Sequence, residues 1–150
     1  MAFVERQWLA RNPVLWVVLP VLGIAGYAAW QDPAGAWPLL AVVVLSVLLF
    51  TGALRTSVDT DGVRLVLRPI WRRFQPWAEV ESAVVEPYRW TRFGGWGIRL
   101  GRGAIAYSVW GPHAVRLLLA GKRDLVIGTR DPKALAAALE LEGVRVDRAE

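Results

Sequence analysis

Cysteine is absent, histidine occurs once, and lysine occurs only as Lys122 and Lys133. The missing cysteines exclude disulfides, thiolate-bound zinc and thiol catalysis. They also fit a reducing compartment. A single histidine, His113 in a Gly-Pro-His turn, excludes a multi-histidine metal centre. Charge is missing from two long stretches, between Arg11 and Asp32 and again between Asp32 and Arg55. Basic charge is therefore carried almost wholly by arginine, which with the abundance of Ala, Gly, Val and Leu suggests a high-GC bacterial source.

The uncharged stretches dominate the N-terminal third and give a positive mean hydropathy of +0.34. Read as helices, residues 13–30 and 37–54 each extend about 27 Å, which predicts a transmembrane hairpin. Pro20, Gly23 and Gly26 are poor residues for a water-exposed helix interior but are tolerated in lipid. Trp30 and Trp37 bracket the intervening loop, where indoles favour the headgroup layer. A cleaved signal peptide over the first stretch is the alternative, and it leaves the second stretch still demanding a membrane anchor.

Arg6 and Arg11 precede the first stretch, and Arg55, Arg64, Arg68, Arg72 and Arg73 follow the second; the loop between has only Asp32. The positive-inside rule then predicts a multi-pass cell-membrane protein with both termini cytoplasmic. Trp30, Trp37, Arg55, Arg68, Arg72 and Arg73 are the expected membrane-surface residues, with the arginines meeting anionic lipid.

Beyond Thr56 the pattern changes to short alternating runs, and two parts are expected: the hairpin at 1–55 and a cytoplasmic domain at 56–150. Asp59-Thr60-Asp61-Gly62 before Val63-Arg64-Leu65-Val66-Leu67 predicts a hairpin. Further strands are expected at 71–77, broken by Pro76, and at 81–88, 97–100, 104–109, 114–119 and 124–128. One helix closes the chain, with Asp131 as N-cap, Pro132 at its first position and Gly143 as its stop. Leu135 and Leu139, four apart, supply its apolar stripe.

This order is the basis of a resemblance. Gly94-Gly95-Trp96-Gly97-Ile98-Arg99, Tyr107-Ser108-Val109, Val115-Arg116-Leu117 and Ile127-Gly128-Thr129-Arg130-Asp131-Pro132 are similar to a recurring pattern in bacterial PH-like membrane proteins of the pleckstrin-homology superfold. That resemblance covers nearly the whole chain. It implies a membrane α-helical hairpin plus an α+β domain, in which an antiparallel sheet of about seven strands forms a bent sandwich or partly open barrel capped by one C-terminal helix. It brings no reaction and no cofactor. The first strand-to-strand loop, Asp59-Thr60-Asp61-Gly62, is acidic where phosphoinositide-binding members carry cations.

Two basic groups stand out. Arg89, Arg92, Arg99 and Arg102 interleave with Trp90 and Trp96, a composition shared with binding hot spots. They form the candidate binding face for an acidic partner segment or an anionic headgroup; the alternative is that the tryptophans fill the core and the arginines are solvated. The glycines of Gly94-Gly95-Trp96-Gly97 and Gly101-Arg102-Gly103 do not have phosphate-loop spacing and no helix follows them, so turns explain them. No catalytic constellation is visible: Ser108 lacks a G-x-S-x-G frame, and Glu79, Glu81 and Glu86 have only strand spacing. The expected role is a membrane-anchored binding or scaffolding module, not an enzyme; the alternatives are an anionic-lipid or membrane-surface binding module, or an accessory subunit of a larger membrane complex. Its expected partners are the lipid bilayer and a protein or a second copy, with anionic lipid headgroups as the alternative. Nucleic acid is not expected, because the mild net charge of +5 is explained by the arginines already assigned.

Overall fold

In a computed structural model, the structure describes residues 3–13, 15–31, 36–89, 91, 97–101, 103–109 and 111–148. The N-terminal segment β1 (Phe3–Trp8) is a strand, followed by two helices, α1 (Leu15–Gln31) and α2 (Ala36–Thr51). The chain then returns as β2 (Ala53–Asp59), β3 (Gly62–Arg68) and β4 (Trp71–Pro76). β5 (Val80–Pro87), β6 (Gly97–Leu100), β7 (Ala104–Ser108), β8 (His113–Leu119) and β9 (Asp124–Thr129) follow. Helix α3 (Pro132–Leu141) and a short β10 (Val146–Arg148) close the fold.

The strands form two sheets. One is four-stranded and antiparallel, in the order β1-β2-β3-β4. The other is six-stranded, in the order β10-β5-β8-β9-β7-β6, with parallel pairings of β7 to β9 and β10 to β5. Ten strands in two sheets, with parallel pairs, replace the single antiparallel sheet of about seven strands that was expected. The additions are β1 and β10, both paired to strands more than forty residues distant in sequence.

The expectation of a transmembrane hairpin is also overturned. Among the described residues, no helix is long and apolar enough to cross a membrane. At 17 and 16 residues, α1 and α2 extend about 25 and 24 Å, short of a hydrocarbon core of about 30 Å. The second apolar run does not stay helical to Leu54. The helix ends just before Gly52, where a Cβ would collide with Leu9 and the Leu48 carbonyl, and Ala53 and Leu54 begin β2, where both are buried and Leu54 joins the core. The multi-pass membrane location and the cytoplasmic placement of both termini relied on those spans, so they are withdrawn with them.

The core lies where the two sheets and α3 meet. Val58, Val63 and Leu65 from the first sheet pack with Val115, Leu117, Leu125 and Ile127 from the second and with Leu135 and Leu139 of α3. The alternation Val63-Arg64-Leu65 explains its own strand, because Val63 and Leu65 are buried while Arg64 faces outward. Burying Leu135 and Leu139 contributes about 1.5–3 kcal/mol each. Both helix ends follow the expected chemistry. Asp131 Oδ1 accepts from the Ala134 N–H at 2.9 Å, with Pro132 behind it. At the other end, Gly143 (φ +82°) lets its N–H reach Glu140 O and the Val144 N–H reach Leu139 O, both at 3.0 Å, a Schellman closure.

Polar side chains tie β1 to the second sheet. Gln7, fully buried, donates from Nε2 to the Gly128 carbonyl at 2.8 Å. Glu5 accepts from the Thr129 hydroxyl and, at 3.0 Å, from the Arg130 N–H. Asn12 Nδ2 donates to the Val109 carbonyl at 2.8 Å. Residues at the chain start are thereby built into the β-structure, and α1 and α2 are an excursion between two neighbouring strands: Trp8 is the cross-strand partner of Ala53.

Candidate functional site

Side chains of cross-strand partners project from the same side of a sheet. In the four-stranded sheet the registers give three rows on the outer face. These are Trp8–Ala53–Arg68, Arg6–Arg55–Val66–Arg72 and Val4–Ser57–Arg64–Phe74. Five arginines thus share one face, and no acidic residue stands in any of the three rows. The opposite face carries Val58, Val63, Leu65 and Leu54, which explains why the sequence alternates there.

Two of these arginines lie over aromatic rings. Arg6 sits 4.0 Å from the Trp8 ring centroid and Arg64 5.7 Å from that of Phe74. Arg6, Arg55 and Arg68 also border a recess of about 150 Å³ with Val4 and Ala53. Among the described residues, every ion pair within 4.0 Å lies elsewhere, at Arg116 with Glu86 and Asp124, at Lys122 with Glu79, and at Arg145 with Asp147.

A larger open groove of about 740 Å³ runs along the β3–β4 hairpin, lined by Arg64, Arg68, Arg72 and Arg73 together with Trp71 and Phe74. Its turn exposes Ile70, and Trp71 and Phe74 are about half exposed. This turn lies at the sheet end from which the helices leave, because Ala53 pairs with Arg68 and also with Trp8. The helices themselves are apolar on every side. Trp16, Val17, Ile24, Tyr27, Leu40 and Val47 are all exposed, and the pair buries only a narrow strip against itself.

The expected sites divide as follows. Of the surface set, Arg55, Arg68 and Arg72 share the outer face, while Arg73 projects from the opposite face and donates weakly to Gln75 Oε1 at 3.4 Å. Trp30 and Trp37 are exposed at the far ends of α1 and α2, a helix length from the sheet, so they do not join the arginines. Their assignment to a membrane headgroup layer falls with the spans. Of the candidate binding face, Arg89 and Arg99 are exposed, and Trp90, Arg92, Trp96 and Arg102 lie outside the described residues. Arg6 and Arg64 complete the cationic face, though neither was assigned to a site from sequence. The signal for Arg64 was the strand alternation, whereas Arg6 needed the long-range pairing of β1.

The residues weighed for catalysis do not converge. Ser108 is buried, its hydroxyl packed over Gly128 and beside the Tyr88 phenol. Burial raises the Tyr88 pKa above its ordinary value, an effect partly offset by the Ser108 hydroxyl and Arg99. Glu79 is held below the usual carboxylate range by Lys122 Nζ at 2.6 Å and by the Gln75 amide at 2.7 Å. Glu86 is engaged by Arg116 at 2.8 Å. His113 is exposed at the start of β8. Among the described residues, no group of three or more His, Asp or Glu side chains is placed to hold a metal ion.

No family model matches the chain, and no curated protein matches it either.

Proposed function

We infer that the chain is a binding and scaffolding module that associates with protein, a second copy or a different chain, through the helix pair α1–α2. The observation carrying this reading is the large apolar surface of those helices beside a β-structure whose own apolar core is already closed by the strands and α3. Helices apolar all round are stable when something covers them, and exposed patches of this extent mark interaction sites. The cationic sheet face sits next to the base of the helices and supplies the polar rim that protein interfaces use for orientation.

Photo-crosslinking tests the reading. A benzophenone amino acid at Ile24, on α1, is expected to give discrete protein adducts in the producing cell. The same group at Leu141, exposed at the end of α3, is expected to give none. Adducts to lipid alone from position 24, or an identical pattern from both positions, contradict the reading.

A further inference from the structure

The four-stranded sheet ends in an unprotected edge. β4 pairs only with β3 among the described strands, so the main-chain N–H and C=O groups on its other side have no partner strand. Such an edge is a template for another strand. Around it the side chains carry one sign. Arg72 and Phe74 project from the outer face, with Arg64 and Arg68 one strand behind, while Trp71 and Arg73 project from the other. These six residues line the open groove of about 740 Å³, and among the described residues no carboxylate lines it. Pro76, lacking an N–H, ends the usable edge.

We propose that the β4 edge binds an extended, acidic segment of a protein partner by strand addition. The occupant follows from two properties that must be met together. Unpaired main-chain donors and acceptors are complemented by another peptide backbone, which neither a lipid headgroup nor a nucleic acid possesses. The three arginines of the outer face, Arg64, Arg68 and Arg72, call for carboxylates, which arginine grips bidentately. A strand alternating acidic and apolar residues satisfies both, because its carboxylates fall on the side of Arg72, Arg64 and Arg68 and its apolar side chains fall beside Trp71. This deepens the binding-module reading and rests on it, by naming the chemistry of one partner segment.

The test is fluorescence anisotropy on the full chain, with a fluorescein-labelled octapeptide alternating Glu and Val. Its Lys-Val counterpart and a version N-methylated at alternate residues along one edge serve as comparisons. The acidic peptide is expected to bind, and both comparisons at least about tenfold more weakly, the ratio that about 1.4 kcal/mol supplies. Arg72→Glu should weaken binding by a similar factor, while Arg72→Lys, checked for folding by circular dichroism, should stay within about threefold because it keeps the charge. Equal binding of the N-methylated peptide overturns strand addition, and equal binding of the Lys-Val peptide overturns the acidic specificity. Failure of the acidic peptide to bind, with or without Arg72-dependent capture of the chain by anionic phosphatidylserine vesicles, overturns the proposal, leaving the arginines as guards against edge-to-edge aggregation or as lipid contacts. Position-24 crosslinks that persist alongside such a failure leave the binding-module reading standing.

Discussion

Arg6 on β1 is the cross-strand partner of Arg55 on β2, so two guanidinium groups project from adjacent positions on one sheet face. Like charges directly opposite are destabilising by about 0.2–1 kcal/mol. Arg55→Thr should therefore raise the stability of the unliganded chain by about that amount in urea unfolding. Added salt should stabilise the parent chain more than the variant, since screening relieves the same repulsion.

The apolar helices contribute little to the β-core, whose buried residues come from the strands and α3. Ile24→Asp and Val44→Asp, both at exposed positions, should change the unfolding free energy of the β-structure by no more than about 0.5 kcal/mol. Both should reduce self-association measured by light scattering. A large loss of near-ultraviolet dichroism in either variant would contradict this division of labour.

Helix α3 depends on its caps. Asp131→Ala removes the acceptor of the Ala134 N–H and should cost about 1 kcal/mol, within a range of about 0.5–2 kcal/mol. Leu117→Ala opens a cavity at a fully buried strand position and should cost about 2–5 kcal/mol. Equilibrium denaturation measures both, and the ordering of the two values is the sharper expectation.

Tyr88 ties stability to alkaline pH. Its folded-state pKa is raised above the ordinary value of 10.0, chiefly by burial. Folding thus favours the neutral phenol, and that contribution is full below the unfolded pKa and lost as pH rises through the folded one. The parent chain should lose stability relative to Tyr88→Phe as the pH is taken above 10, and ultraviolet difference titration should show phenolate forming late at this residue. Coincidence of its ionisation with that of a free tyrosine would contradict the burial argument.

Much of the β-structure was legible because local signals sufficed. The Val63-Arg64-Leu65 alternation, the Asp61-Gly62 turn and the Asp131-Pro132 helix start are each decided within a few residues, and the strand bounds from β3 to β9 lie within one or two residues of those read from sequence. β1 was not legible, because Phe3–Trp8 becomes a strand by pairing with residues 53–58 across the whole helix pair. Ala53 and Leu54 were absorbed into an apolar helix for a related reason: hydropathy does not distinguish a buried strand residue from a lipid-facing one. That ambiguity lengthened the second helix and produced the transmembrane expectation. The cationic face followed the same pattern: Arg55, Arg68 and Arg72, expected at a membrane surface together with Trp30 and Trp37, share one sheet face, whereas the fold places the two tryptophans elsewhere. The β4 edge could not be read at all, since it depends on which strands lack a neighbour.

Sedimentation velocity on gently prepared native extracts, following the tagged chain, addresses the binding-module reading most directly. A particle heavier than the 16.6 kDa chain by a discrete protein complement, returning to monomer mass on Ile24→Asp, is the predicted result. A lone chain in water, or a particle whose added mass is unchanged by that substitution, would contradict it.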